Sequence, residues 1–214
     1  IGHAHAAPIM TCGRPSPVVC GVNWLHATLN AAKTSEGVPT YFMTMNATQH
    51  DQLLNVRKRH VKLLRLNAEL LGNILHDVSQ ATATTLRDPD DGDTGWTVLE
   101  VVCHLRDFDG FFRGRAEMMR DQDDPQLPAY DHEAIAIERA YNQQDLQTAY
   151  AELLTSRQQT RDFFKSLTDE QWQRSGVHPE SGHITMLDAL MQVGHHDVLH
   201  LEQITRILAQ IKRA

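Results

Sequence analysis

His196 and His200 stand four residues apart near the carboxyl end of the chain. On an α-helix, residues at positions i and i+4 share one face, with Cβ atoms about 5–6 Å apart. Two imidazoles placed in this way can bind one divalent cation, at about 2.0–2.1 Å for zinc. The spacing is weak evidence alone, because 13 histidines among 214 residues produce roughly one such pair by chance. A metal site therefore requires a third ligand from another element.

The composition indicates a globular protein with a small-molecule partner. The chain has 214 residues, of which 41% are hydrophobic, and its formal charge is −7 with a pI near 6.0. Because it has no basic run, a nucleic acid or an anionic membrane is not a favoured partner. No apolar run approaches the roughly 18 residues of a membrane span, and no basic segment precedes an apolar one at the N-terminus. We therefore expect a cytoplasmic protein.

Residues 1–45 differ in character from the rest of the chain. They contain several prolines and glycines, and their apolar residues follow neither a helical nor a strand period. We interpret this segment as an irregular tail. An over-long translation start before Met43 or Met45 is one explanation, and a genuine tail that docks through Trp24 and Leu25 is the alternative. The folded domain is expected to cover residues 46–214.

Four amphipathic helices are predicted within that domain, because apolar residues recur every three to four positions. Thr97 with Glu100 and Thr185 with Asp188 have the spacing of N-terminal caps for the second and fourth helices. The predicted helices run from about Thr48 to Ser79, from Thr97 to about Arg120, from about Asp145 to Leu167, and from Thr185 to about Ile211.

The connections between the helices differ in length. The connection from Asp121 to about Gln144 is too long for a tight helical hairpin, so the second and third helices need not be antiparallel neighbours. The segment from Gly176 to Gly182 is predicted to be a loop.

Three histidines lie at the edges of apolar stripes rather than at their centres. On the second helix, His104 is about 80° from the middle of the stripe, and on the fourth helix His196 and His200 are about 80–120° away. If these two helices are neighbours, the three edges meet at the mouth of a bundle. The alternative without a metal is three unrelated histidines at the boundary between core and surface.

Several short motifs have the order and spacing of a known family. Together they resemble the DinB-like four-helix metalloproteins, nearest the branch of YfiT and the bacillithiol transferases, over about Thr48 to Ala214. The motifs are Trp96-x-x-x-Glu100-x-x-x-His104-Leu105-x-Asp107, Pro128-x-Tyr130-Asp131, His178-Pro179-x-x-Gly182 and His196-x-x-x-His200-x-x-Gln203-Ile204.

The resemblance implies an all-α four-helix bundle of up-down-down-up topology, with a long connection between helices 2 and 3. It also implies that His104, His196 and His200 hold a divalent ion whose open positions take water or substrate. Zinc and nickel are the first candidates, since imidazole suits both. A low-molecular-weight thiol is the implied cosubstrate, and a homodimer is expected by analogy.

Three other residues are candidates for the chemistry. Asp107 is a candidate general base, and Arg157, on an otherwise apolar helix face, is a candidate for catalysis and for binding the carboxylate of a thiol or substrate. Tyr130 is a candidate for contact with the cosubstrate. The alternatives are a solvated acid for Asp107, a buried-stem arginine for Arg157 and ordinary packing for Tyr130.

Smaller roles are open for three neighbours of the histidines. Glu100 is equally suited to a helix cap and to a hydrogen bond with a ligand histidine. His195 points away from His196 and is expected to be exposed. Cys103 is expected to be an inert small residue rather than a nucleophile.

The sequence leaves the reaction open. A metal-activated thiolate would transfer a thiol to an electrophilic small molecule, which is the favoured interpretation, whereas metal-bound hydroxide would make the protein a hydrolase. Isomerisation or amide hydrolysis on the same metal is a further alternative. An alternative of another class is a non-catalytic, stress-linked metal-binding bundle.

Overall fold

The computed structural model describes residues 47–213, so the irregular tail predicted for residues 1–45 lies outside the described residues. Six α-helices and one β-hairpin are present in this part of the chain. They are α1 (Ala47–Leu75), α2 (Gln80–Thr85), α3 (Val98–Asp121), α4 (His132–Glu138), α5 (Leu146–Ser166), β1 (Ser175–His178), β2 (Gly182–Thr185) and α6 (Met186–Leu208). None of the described helices combines the length and apolar character needed to span a membrane. The four long helices α1, α3, α5 and α6 correspond to the four predicted helices.

The first helix is shorter than predicted. Its apolar period continues toward Val78, but the helix ends at Leu75 and a separate short helix, α2, begins after Ser79. The Ser79 hydroxyl accepts a hydrogen bond from the backbone N–H of Thr82 at 3.1 Å, which caps the new helix.

The loop predicted between Gly176 and Gly182 is a β-hairpin instead. Strands β1 and β2 pair antiparallel from Ser175 opposite Thr185 to His178 opposite Gly182. Gly182 has a φ of 72°, a conformation that glycine adopts without steric cost, and it begins β2 directly after the turn. The hairpin leads into α6.

Helices α3 and α5 pack side by side and run parallel. Arg106 near the start of α3 bonds Glu152 at 2.9 Å, and Arg113, two turns later, donates to the Thr160 hydroxyl at 3.1 Å. Residue numbers therefore rise together along the two helices. The connection between them, which includes α4, is long enough to return the chain to the opposite end of the bundle.

Helices α3 and α6 are antiparallel neighbours. His104 in the second turn of α3 meets the end of α6, where ring centroids of His104 and His200 are 4.7 Å apart. At the other end of the pair, Met119 and Met186 belong to one apolar cluster. The helix that carries one candidate ligand therefore packs against the helix that carries the other two.

Helix α1 completes the bundle as an antiparallel partner of α5. The Tyr150 hydroxyl donates to the Ala68 carbonyl at 3.0 Å, and Arg57 bonds Asp169, just beyond α5, at 3.2 Å. Helix α1 also packs on α6. Because α1 is antiparallel to α5, α5 is parallel to α3, and α3 is antiparallel to α6, the four long helices run up, down, down and up in chain order. The predicted four-helix bundle and its topology are confirmed.

The core is divided by a layer of polar side chains. One apolar cluster lies near the end of the bundle that holds the histidines, and a second lies near the hairpin. Between them lie buried polar residues of the long helices, and four of these, one from each helix, interact across the bundle: Asn67, Asp109, Arg157 and Asp197. We call these four residues the polar layer.

Candidate metal centre

Three imidazoles converge between α3 and α6. The Nε2 atom of His196 lies 2.9 Å from Nε2 of His104 and 3.2 Å from Nε2 of His200. Within the described residues, these three side chains are the group of potential ligands close enough to share one cation. Three nitrogen ligands at about 2.0–2.1 Å from one zinc ion would be separated by about 3.3 Å in tetrahedral geometry. The observed spacing fits a single divalent ion.

The caps of α3 and α6 fix where the ligands lie along the bundle. The Thr97 hydroxyl accepts from the backbone N–H of Glu100 at 3.3 Å, and the Glu100 carboxylate accepts from the Thr97 N–H at 2.7 Å. Thr185 and Asp188 form the same reciprocal pair at the start of α6. These two capping boxes, which the sequence predicts, satisfy backbone donors that a helix start leaves free. Glu100 serves as a cap and makes no hydrogen bond to a described histidine.

A chain of hydrogen bonds behind His200 sets its tautomer. Arg206 donates to the buried carboxylate of Asp88 at 2.8 Å, and Gln203 Nε2 donates to the same carboxylate at 2.9 Å. Because a carboxylate only accepts, the Gln203 amide must point its oxygen at His200 Nδ1, 2.7 Å away. His200 therefore carries its proton on Nδ1 and presents an unprotonated Nε2 to the cluster.

Burial keeps the cluster neutral. It lowers the pKa of His104 to about 2, with His200 and His132 adding a smaller repulsion. Burial also lowers the pKa of His196 well below its usual value, helped by His200 and His104. Burial lowers the pKa of His200, although the Gln203 hydrogen bond opposes the change. Neutral imidazole is the form that binds a metal ion, so the electrostatics agree with the geometry.

At Asp88, hydrogen bonds outweigh the effect of burial on the pKa. Burial alone would raise the pKa of its carboxyl group, but hydrogen bonds from Arg206, the Asp90 backbone and Gln203 lower it. The carboxylate therefore stays ionised and holds the Gln203 amide in place. The sequence motif included Gln203 but gave no sign of Asp88, which lies 115 residues away in a turn and reaches the site only through the fold.

Aromatic side chains surround the histidines. The Phe108 ring lies 4.1 Å from that of His104, Trp96 makes an edge contact with His104 at 5.0 Å, and Phe112 meets His196 at 5.0 Å between centroids. This apolar wall limits the access of water and raises the strength of electrostatic interactions inside.

His132 is a fourth histidine beside the cluster, and it is not among the residues predicted from the sequence. Its ring centroid is 6.2 Å from that of His104 and 5.8 Å from Trp96. The side chain is 58% exposed and begins α4, directly after the predicted Tyr130-Asp131 loop. His132 is therefore an exposed imidazole next to the buried ring of His104.

Asp107 lies near His104 in sequence but makes its hydrogen bonds elsewhere. Its carboxylate accepts from Arg106 at 2.8 Å and from the Tyr141 hydroxyl at 2.6 Å, and it pairs with Arg139 at 2.8 Å. Burial would raise the pKa of Asp107, but these three partners lower it. No described hydrogen bond links Asp107 to a candidate ligand, so the structure does not bring this predicted base to the histidines.

Arg157 is placed in the polar layer rather than at the mouth of the site. Its Nε donates to Asp109 at 2.6 Å, its Nη2 donates to Asp197 at 2.8 Å, and its Nη1 bonds Asp197 and the Leu64 carbonyl. The side chain is 4% exposed, and its guanidinium donates to protein acceptors through all three nitrogens. The structure therefore gives Arg157 a structural role, and its predicted roles in catalysis and in binding a thiol or substrate carboxylate stay predictions.

The remaining candidate residues, Tyr130, His195 and Cys103, lie away from the three histidine rings or pack against other side chains. Tyr130 stacks on Phe111 with centroids 4.1 Å apart, and the Arg115 guanidinium lies 5.0 Å above its ring. This places Tyr130 at the outer edge of the aromatic wall, one ring removed from the histidines. His195 is exposed, as expected. Cys103 is fully buried, with Sγ 3.8 Å from the Tyr141 carbonyl.

Comparison with known proteins identifies a family and solved structures that this chain resembles. The family model described as the DinB superfamily matches residues 51–204. YfiT of Bacillus subtilis (strain 168), which its name gives as an inferred metal-dependent hydrolase, is 26% identical over 118 residues. That match covers 53% of this chain and 66% of YfiT, slightly less than two thirds of the relative's length.

Solved structures share the fold. The structure of Bacillus subtilis YfiT is described as a four-helix bundle of unusual topology. It superposes on this chain with a TM-score of 0.66 and 22% identity, and the match covers 83% of this chain and 94% of YfiT. The mycothiol-dependent maleylpyruvate isomerase superposes with a TM-score of 0.58 and 14% identity, covering 69% of this chain and 60% of the isomerase. At these identities the similarity shows a common architecture.

Proposed function

Because the chain belongs to the DinB superfamily, we propose that it is a metal-dependent enzyme acting on small molecules, with its metal ion held by His104, His196 and His200. The observation that carries the proposal is the convergence of three neutral imidazoles from two helices, in which Nε2 of His196 lies 2.9 Å from that of His104 and 3.2 Å from that of His200. Zinc and nickel are the ions we favour, since both accept imidazole ligands.

The residues around the cluster suit an open catalytic site. A divalent ion with three protein ligands retains a position for a small molecule and can acidify a bound thiol or water or polarise a carbonyl. The proposed role of Gln203 is to hold the Nε2 lone pair of His200 toward the ion. Trp96 and Phe108 exclude water from one side, and His132 offers a hydrogen-bonding group at the rim.

Transfer of a low-molecular-weight thiol to an electrophile is the reaction we favour. The single cysteine in the described residues, Cys103, is buried against Tyr141 and Gln144 rather than facing the histidines. Because the described residues offer the site no thiol, we propose that the nucleophilic thiol comes from a cosubstrate. The shared fold with an isomerase that depends on mycothiol supports this choice. Hydrolysis is the second candidate, because the name of the Bacillus subtilis relative places it among metal-dependent hydrolases.

The metal is tested by elemental analysis of the purified protein and of His104→Ala, His196→Ala and His200→Ala. We expect about one ion per chain in the wild type and loss of the ion in all three variants, with helicity by circular dichroism retained. His195→Ala is the matched control, because it removes an exposed neighbouring imidazole and should keep the ion. Equal metal content in all five proteins would contradict the site.

The reaction class is tested on the metal-loaded protein with paired substrates. An aryl chloride such as 1-chloro-2,4-dinitrobenzene is offered with bacillithiol, mycothiol or glutathione, and an activated ester is offered without thiol. Turnover that requires both a thiol and the ion supports transfer, whereas ester cleavage without thiol supports hydrolysis. A protein that binds the ion and turns over neither substrate would instead be a metal-binding bundle.

The cytoplasmic location and the homodimer stay predictions. Light scattering during size-exclusion chromatography distinguishes a dimer from the 24.2 kDa monomer.

A further inference from the structure

A cavity lies between α1 and α5, away from the histidines. Its volume is about 400 Å³, within the range of about 300–1,000 Å³ that small-molecule sites occupy. Among the described residues, its lining comes from α1, α5 and the segment that follows α5. The candidate ligands belong to α3 and α6 instead, so the two sites share no residue.

The floor of the cavity is apolar and partly aromatic. Trp172 and Phe164 stack with their ring centroids 5.9 Å apart and their planes 27° from parallel. Val61 and Leu54 from α1 and Leu167 after α5 complete the floor. A hydrocarbon or aromatic group lying on this surface would be removed from water over most of one face.

The rim of the cavity is strongly basic although the whole chain carries a formal charge of −7. Six of the twelve lining residues are cationic, and one is acidic, which is Asp169. Like charges gathered in one place repel one another, so such a cluster is more favourable when an anion lies among them. The cations are Arg57, Lys58, Lys62, Arg65, Arg161 and Lys165.

Internal ion pairs account for only part of this charge. Arg57 pairs with Asp169 at 3.2 Å and Lys165 pairs with Asp162 at 3.3 Å, while Arg65 pairs with Glu69. Lys58 and Lys62, one helical turn apart on α1, have no ion-pair partner within residues 47–213. The rim therefore retains charge that no described carboxylate neutralises.

Two guanidinium groups of the cavity have buried donors without acceptors. Arg57 is 6% exposed, and its Nε has no hydrogen-bond partner among the described residues, although its guanidinium lies 4.5 Å above the Trp172 ring. The Nε of Arg161 is likewise buried without a described partner. Buried N–H donors are rarely left unsatisfied in folded proteins, so an acceptor at this site is expected.

We propose that this cavity binds a small organic carboxylate with an apolar body. The hydrocarbon or aryl group contacts the apolar lining, which includes Leu54 and Trp172. The carboxylate accepts hydrogen bonds from Arg57 and Arg161, with Lys58 and Lys62 nearby. Guanidinium groups suit this ligand because their fork of donors matches a carboxylate. The proposal is independent of the metal and of the proposed reaction.

The test measures binding of octanoate and octan-1-ol to the full chain by calorimetry after removal of divalent ions. We expect octanoate to bind at least about tenfold more tightly than octanol, because only the acid can use the basic rim. The variant with Lys58→Gln and Lys62→Gln should weaken octanoate binding about tenfold and leave octanol binding unchanged. Both lysines are exposed, so folding is not expected to suffer.

Three controls make the outcome specific. Arg59→Gln removes an exposed cation of α1 that does not line the cavity and should leave octanoate binding unchanged. Leu54→Trp, which fills the cavity from its edge, should weaken both ligands. His104→Ala should affect neither ligand. Equal affinity for acid and alcohol, an undiminished octanoate affinity in the lysine variant, or loss of binding in His104→Ala would each overturn the proposal.

Discussion

Arg157 carries a buried charge whose partners explain it without any substrate. Burial alone would lower the pKa of its guanidinium, but Asp197 and then Asp109 raise it, so the side chain stays charged. Asp109 in turn accepts from the hydroxyls of Ser156 and Thr160, at 2.7 Å in each case. In this network Arg157 pairs with one carboxylate from each of two neighbouring helices, and Arg113 lies 3.9 Å from Asp109 as a more distant second cation.

Replacing Arg157 by methionine is expected to cost about 3–5 kcal/mol of the free energy of unfolding, because two buried carboxylates lose the cation that hydrogen-bonds them. Urea unfolding followed by circular dichroism measures the loss. Arg59→Gln, at an exposed site without a described ion pair, is the control and should stay within about 0.5 kcal/mol of the wild type. A stable Arg157→Met variant with impaired substrate binding would instead support a role for this residue in binding or catalysis.

Cys103 is expected to be unreactive in the folded protein. Burial raises the pKa of its thiol to about 12, an effect that the neighbouring charge of Arg106 only partly offsets. At pH 8 the thiolate would be on the order of 10⁻⁴ of the population, against roughly a quarter for an exposed cysteine. In a background with Cys12→Ser and Cys20→Ser, iodoacetamide should label Cys103 rapidly in guanidinium chloride and very slowly without it.

The pH dependence of that reaction provides a second check. The labelling rate of the folded protein should still rise between pH 9 and pH 10.5, whereas the rate of the unfolded chain should level off near pH 9. Rapid labelling at pH 7, as fast as in the unfolded chain, would show that Cys103 is accessible and would reopen its role as a nucleophile.

The candidate ligands could be predicted because their spacing lies within one helix or one family motif. The residues around them that come from distant parts of the chain could not be predicted. The spacing of His196 and His200 is a property of one helix, and the family motif adds His104. Asp88 lies in the connection before α3 and His132 is the first residue of α4, and no local pattern places either of them beside the three histidines. Their contribution depends on tertiary contacts that a single sequence does not contain.

The same distinction holds for whole elements. The capping boxes of α3 and α6 are visible in the sequence because their residues lie three positions apart. The break after Leu75 and the hairpin before α6 are not, because the apolar period runs on to Val78 and the strands span four residues each. Short strands are set by the partner they pair with rather than by propensity.

Two helical glycines give contrasting predictions, because α1 approaches α5 closely at Gly72 whereas Gly110 in α3 has open space around it. A Cβ atom at Gly72 would lie 2.2 Å from the Tyr150 hydroxyl oxygen, whereas one at Gly110 in α3 would meet nothing within 4 Å. Gly72→Ala should lower the free energy of unfolding by about 1–2 kcal/mol, because overpacking outweighs the gain in helix propensity. Gly110→Ala should raise it by about 0.5–1 kcal/mol.

The pair of variants is measured by urea unfolding under identical conditions. Adding Tyr150→Phe to Gly72→Ala removes the clashing oxygen and should recover part of the loss, although it also removes the hydrogen bond to the Ala68 carbonyl. Similar changes in stability for the two glycine variants would mean that the helices separate easily at this point.

At the scale of the whole molecule, the polar layer divides the bundle into two apolar halves. One residue from each long helix takes part: Asn67, Asp109, Arg157 and Asp197. A helix shifted by one turn would place a charge among apolar side chains, so we infer that the layer helps to fix the register of the four helices. Asp197 directly follows His196, which connects the register of the bundle to the position of a proposed ligand.

Because the proposed ligands come from α3 and α6, binding of a divalent ion should stabilise the whole fold. An ion present at about 1,000 times its Kd adds about 4 kcal/mol to the free energy of unfolding, and each kcal/mol raises the Tm by about 2–4 °C in a protein of this size. Thermal unfolding of the metal-free protein, with and without added zinc or nickel, measures the shift. His195→Ala should keep the full shift, whereas His104→Ala and His200→Ala should lose it, since each removes a ligand from one of the two helices. A shift of equal size in all four proteins would place the ion elsewhere in the chain, and the junction of α3 and α6 would then be held by packing alone.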